Sequence, residues 1–82
     1  MPEKLPATSF RVEGDVLVCS GPTMPDRRIP FSHIRAWVDI GQGRVQTFCL
    51  MLREGASLDI EDPDGALETI MSEKMPDGFH MF

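Results

Sequence analysis

Cysteine is scarce in this 82-residue sequence: Cys19 and Cys49 are its two thiols, each inside an apolar run. Two cysteines are too few for a disulfide framework. Their setting reads as buried free thiols, because a buried Cys packs as a small hydrophobe. Basic residues are also sparse, with eight Lys and Arg against thirteen Asp and Glu and a net charge of −5. Phosphate recognition needs clustered cations, so no nucleic-acid partner is expected. No apolar run approaches the ~18 residues of a membrane span. Met1 to Pro6 contains no apolar h-region, so no signal peptide is expected and the cytoplasm is the default compartment.

Chemistry-bearing patterns are missing as well. His33 and His80 form no HxxxH spacing, and the cysteines no CxxC, so no metal site is expected. Carboxylates 59, 61, 62 and 64 gather at the start of a helix-like stretch, where capping and solubility explain them better than a cation does. Gly41-Gln42-Gly43 joins two strand-like runs and opens no helix, so it is not a phosphate loop. A Cys–His nucleophilic pair needs a reactive thiol, and strand-buried thiols are inert. A cofactor and a catalytic role are therefore not expected.

What remains is an ordinary globular composition, 41% hydrophobic and 26% charged, in one short domain. A chain of this length buries only roughly 60–65% of its unfolded surface, so a partner or a second copy would add to its stability. Charge is uneven. Residues 1–54 carry seven basic and six acidic side chains, net +1, while residues 55–82 carry Lys74 and seven acidic ones, net −6. The acidic part reads as a solvated face or as a docking surface for a basic partner.

The chain centres on residues 29–54, the longest apolar stretch, which holds the single tryptophan. Residues 1–7 contain two prolines and no pattern, and read as a loose flexible tail or an edge segment ahead of a domain spanning 8–82. Residues 9–12 and 15–19 read as a hairpin turned at Glu13-Gly14. Ser20 to Arg28 reads as a polar loop broken by Gly21, Pro22 and Pro25, in which Arg27 and Arg28 could bind an anion. A strand from His33 to Ile40 then puts Ile34, Ala36, Val38 and Ile40 on a core face, and His33, Arg35, Trp37 and Asp39 on the other. After the glycine turn, Phe48, Leu50 and Leu52 join the core, and Cys49 and Met51 fall beside Trp37. That second face is too apolar for open water, so a tail, a hairpin or another subunit should cover it. Trp37 with His33, Arg35 and Met51 is the candidate contact surface, since aromatics, Met and Arg are enriched in interface cores.

Glu54-Gly55 reads as a tight turn before a last strand through Leu58 and Ile60. Asp62-Pro63-Asp64 reads as a helix start, with Asp62 at the N-cap and Pro63 in the first turn. Leu67, Ile70, Met71 and Met75 form its apolar stripe, and Pro76 ends it. The terminal Phe79-His80-Met81-Phe82 is apolar enough to pack on something, with the Trp37 face the obvious place.

The expected architecture is therefore α+β: an antiparallel meander or partly open barrel of five to six strands with one C-terminal helix. The spacing of Ile29-Pro30-Phe31-Ser32-His33-Ile34, then a hairpin, then Leu52-Arg53-Glu54-Gly55 before Leu58-Asp59-Ile60, then Leu67 to Met75 and Pro76, resembles small bacterial pleckstrin-homology-like domains over about residues 15–76. The resemblance implies a binding platform, not a catalyst. Phosphoinositide-binding members use a basic loop cluster, which here would require Arg11, Arg27 and Arg28 to converge, and peripheral lipid contact is not expected. The leading expectation is a noncatalytic protein-interaction or self-association module. The alternatives are a small-molecule or lipid binder of the same class, or a structural accessory protein of virion type.

Overall fold

The computed structural model describes residues 3–41 and 43–81. Met1 and Pro2 of the expected tail, Gln42 of the glycine turn and Phe82 of the apolar terminus lie outside the described residues. The elements are β1 (Glu3–Leu5), β2 (Ser9–Glu13), β3 (Val16–Gly21), β4 (Met24–Pro30), a 3₁₀ turn (Phe31–His33), β5 (Ile34–Asp39), β6 (Thr47–Leu52), β7 (Ser57–Glu61), α1 (Ala66–Lys74), a second 3₁₀ turn (Pro76–Gly78) and β8 (Phe79–Met81). The class is α+β, with one C-terminal α-helix among the described residues. The strand count and connectivity differ from a meander of five to six strands. Among the described residues eight strands form two sheets, ordered β2-β3-β4 and β1-β7-β6-β5-β8. The first is antiparallel. The second is mixed, because β1 runs parallel to β7 and β8 parallel to β5.

The hairpin turned at Gly14 is present, pairing Glu13 with Val16. The loop expected over residues 20–28 is not. Instead β3 runs on to Gly21, and β4 carries Arg27 and Arg28 opposite Cys19 and Val18. The prolines misled because Pro breaks a ladder only in a central strand. Here β4 is an edge strand, and the register slips beside Gly21. Gly21 is required for a second reason: a Cβ there would lie 2.5 Å from the Pro6 carbonyl oxygen. That close approach holds the 6–8 segment against β3, with the Thr8 amide donating to the Ser20 carbonyl. Of residues 1–7, read as a loose tail or an edge segment, Glu3–Leu5 form an edge strand and Leu5 and Ala7 are buried.

A bulge in β5 decides which side chains reach the core. Ile34 pairs with Leu52, but Ala36 pairs with Met51, so Arg35 is an extra residue in the ladder. An inserted residue reverses the alternation beyond it. Trp37 therefore turns inward opposite Leu50, whereas Val38 lies opposite Cys49. The expected core set of Ile34, Ala36, Val38 and Ile40 is corrected accordingly. Ile34 is fully buried in the core, Val38 and Ile40 are half-buried, and Ala36 is buried outside the main core cluster. Phe48, Leu50 and Leu52 are core residues as expected.

The helix packs against β2 and closes the space between the sheets. Leu67 and Met71 are completely buried, with Ile70 and Met75 packed against the same cluster. Completely burying each such side chain contributes roughly 1.5–3 kcal/mol. The helix start differs in detail from the expected N-cap. Residues 62–65 make a turn, Gly65 sits at φ +75°, and the helix begins at Ala66. Asp62 still caps it from outside: its two carboxylate oxygens accept from the amides of Leu67 (3.0 Å) and Glu68 (2.9 Å). Two of the orphan donors at the helix start are satisfied this way.

Candidate functional site

A recess lies at the β4 border, where β4, the first 3₁₀ turn and the β6–β7 turn meet. It has a volume of about 420 Å³ and is lined by Arg27, Arg28, Ile29, Pro30, His33, Leu52, Arg53 and Glu54. Its apolar floor comes from Ile29 and Leu52, both buried. Three arginines and one carboxylate make its rim cationic.

Local hydrogen bonding fixes the rim. The Arg53 amide donates to the His33 carbonyl (2.9 Å), and its Nε donates to the Ser32 carbonyl (2.9 Å). Arg53 therefore pins the 3₁₀ turn to the end of β6, and its terminal Nη groups make no hydrogen bond among the described residues. Arg27 Nη1 stands 3.6 Å from a carboxylate oxygen of Glu3 on β1, an exposed pair of small energetic weight. Arg28 Nη2 donates to Glu13 (2.8 Å). An anion entering the recess would meet Arg53 and Arg27 first, with Arg28 already engaged.

Arg11 does not join them. It lies on the outer side of the β2-β3-β4 sheet and bonds Glu13 (2.7 Å) and Asp26 (3.2 Å). Asp26 also accepts from the Ser20 hydroxyl (2.8 Å). Arg28, then Arg11, hold the Glu13 carboxyl below its ordinary range; Ser20, then Arg11, do the same for Asp26. The lattice consumes the charges that a convergence of Arg11, Arg27 and Arg28 would have needed.

The candidate surface read from the sequence is dispersed. Arg27, Arg28 and His33 line the recess. Trp37 does not: it is 2% exposed, packed between Phe48 and Phe79 with ring centroids at 5.5 and 4.5 Å. Its indole Nε1 donates to the Met75 carbonyl at 2.8 Å. The chain's own C-terminal segment covers it, and the bulge at Arg35 explains why. Arg35 is exposed, and Met51 is half-buried opposite Ala36 and Ser57, on the other side of the sheet from Trp37. Sequence reasoning missed Arg53 and Glu54. Arg53 lies more than twenty residues beyond Arg27 and Arg28, and only the docking of the 3₁₀ turn brings them together.

Burial pushes the Cys19 thiol up to about 11, against a weaker opposing influence of Arg27. Cys49 is also raised, by burial and then by its bond with Asp59. Both are free, and both are disfavoured as thiolates at neutral pH. Among the described residues no group of three His, Cys, Asp or Glu side chains could hold a metal ion, and no helix is long and apolar enough to cross a membrane. Comparison with family models, with curated proteins and with solved structures gives no match.

Proposed function

We propose that this chain is a noncatalytic interaction module whose recess at the β4 border receives an acidic segment of a protein partner. The observation that carries this reading is the recess itself, where Arg27 and Arg53 flank an apolar floor of Ile29 and Leu52. Arginine is among the residue types enriched at the hot spots of protein interfaces. The raised pKa values of both thiols favour binding over nucleophilic chemistry.

The reading includes membership of the pleckstrin-homology-like class. Supporting it are the chain order of β2 to β4, then β5 to β7, then a helix closing the gap beside β2. The parallel border strands β1 and β8 are additions to that plan. The two free cysteines fit a reducing compartment such as the cytoplasm.

The test is a titration with the amidated peptide Glu-Glu-Phe-Glu-Glu, followed by amide chemical shifts. Shifts should concentrate at residues 27–30, 33 and 52–54, and Arg53→Glu should weaken binding by about tenfold or more. Shifts confined to other parts of the surface, or no shifts, would refute the reading. The recess volume also falls within the roughly 300–1,000 Å³ of small-molecule sites, which favours a small organic anion as the second reading. Saturation by citrate with the same shifts, and no response to the peptide, would select it.

A further inference from the structure

We infer that the acidic segment is supplied by a second copy of this chain, whose exposed Phe79, flanked by Glu68 and Asp77, seats in the Arg27–Arg53 recess in a head-to-tail contact. This rests on the reading of the recess given above. Three observations lead to it.

The first is charge. Of the three arginines lining the recess, Arg28 is held by Glu13 and Arg27 stands beside Glu3, while Arg53 makes no salt bridge among the described residues; residues 55–82 carry one basic side chain and seven acidic ones. Asp64, Glu68, Glu73 and Asp77 are all exposed on or beside α1. Complementary potentials of this kind steer encounter and fix orientation.

The second is an apolar anchor. Phe79 is the one exposed large hydrophobic side chain among the described residues, at 36%. It shares a shallow recess of about 210 Å³ with Trp37, Glu68, Ser72 and Pro76. An aromatic ring beside carboxylates matches an apolar floor beneath an arginine rim. Arginine can also lie over the ring face.

The third is placement. In the three-stranded sheet β4 is one border and β2 the other, and the helix packs against β2. In the five-stranded sheet β1 and β8 are the two borders. The Arg27–Glu3 pair brings β4 near β1, and Phe79 lies on β8. Recess and anchor are thus separate patches: the first is lined from β4, the first 3₁₀ turn and the β6–β7 turn, the second from β5, α1, the second 3₁₀ turn and β8. A contact between them is heterologous. It leaves one recess and one anchor free at the ends, so it adds copies until the rotation closes a ring or a filament grows.

Sedimentation velocity of the full chain from about 10 μM to about 1 mM tests this. Association should grow with concentration and weaken by about tenfold or more between about 0.05 and 1 M salt. Arg27→Glu and Phe79→Ser should each abolish it. Their mixture should form a 1:1 dimer that grows no further, since each variant retains the patch the other lacks. Because Phe79 also packs on Trp37, the double variant Glu68→Lys with Asp77→Lys tests the same flank without touching that packing, and it too should complement Arg27→Glu. A chain that stays monomeric at about 1 mM, or an assembly indifferent to these substitutions, overturns the inference. If the chain is monomeric but Glu-Glu-Phe-Glu-Glu still binds the recess, only the second copy is refuted. If the peptide also fails to bind, the reading of the recess falls with it.

Discussion

Trp37 and Met75 are joined by a 2.8 Å hydrogen bond from the indole Nε1 to the backbone carbonyl just past the last residue of α1. The bond links the bulged strand of one sheet to the helix that closes the gap between both. The carbonyl has no partner within the helix; it accepts from the indole and from the Gly78 amide (3.1 Å), which together fix where the chain turns toward β8.

Trp37→Phe keeps most of the ring burial and removes the donor. It should cost about 0.5–1.5 kcal/mol, the net worth of one hydrogen bond, because the Met75 carbonyl still accepts from the Gly78 amide. Urea unfolding checks this. In the parent chain the single tryptophan should emit at short wavelength and resist quenching by acrylamide. Exposed-type emission from folded protein would contradict the packing.

Asp62 is 2% exposed and accepts from two helix amides. Asp62→Ala should destabilise by about 2 kcal/mol, the upper end for a lost cap. Asp62→Asn retains one good acceptor and should cost clearly less. Equal midpoints for the alanine variant and the parent in thermal unfolding would show that the capping bonds contribute nothing.

The charge lattice on the outer side of the three-stranded sheet has a defined pH signature. Glu13 is held below its ordinary 4.5, and Asp26 below its ordinary 3.8. A depressed carboxylate adds stability above its unfolded pKa, and that stability is lost as pH falls through the folded value. The melting temperature should therefore decline in acid from about pH 5 to about pH 2, and Arg11→Ala should flatten the decline. Both carboxylates are exposed, so the effect should be small and should shrink further in high salt. An unchanged slope in the variant would remove the lattice from the account.

Thiol labelling separates the two cysteines. With its pKa raised to about 11, Cys19 is on the order of 0.1% thiolate at pH 8, and it is fully buried. Mass-resolved alkylation should modify Cys49 slowly and Cys19 only as the protein unfolds. Fast modification of Cys19 in the folded state would overturn its placement.

How far the sequence discloses this structure depends on the range of the interaction involved. The apolar stripe of α1, the Gly14 hairpin and the Phe48-Leu50-Leu52 core set rest on spacing within one element, and the structure shows them. Trp37 was misplaced because one extra residue, Arg35, reverses the alternation, and nothing local distinguishes a bulge from a regular strand. The β4 strand was hidden because Pro25 and the charges at 26–28 are tolerated only where a strand has an open side and partners across the sheet, such as Glu13 for Arg28. Three of the eight residues lining the recess were legible as site residues: Arg27, Arg28 and His33. Arg53 was not, because its role depends on the docked turn at residues 31–33.

The five-stranded sheet takes its two flanking strands from residues 3–5 and 79–81, with four interstrand spacings, about 19 Å, between them. A nascent chain lacking residues 79–81 would leave β5 with a bare backbone border and strip the outer cover from Trp37. Assembly of this sheet during translation must then wait for the far C-terminal segment. Until it arrives, the β5 flank is where stray strand pairing between unfinished chains would begin.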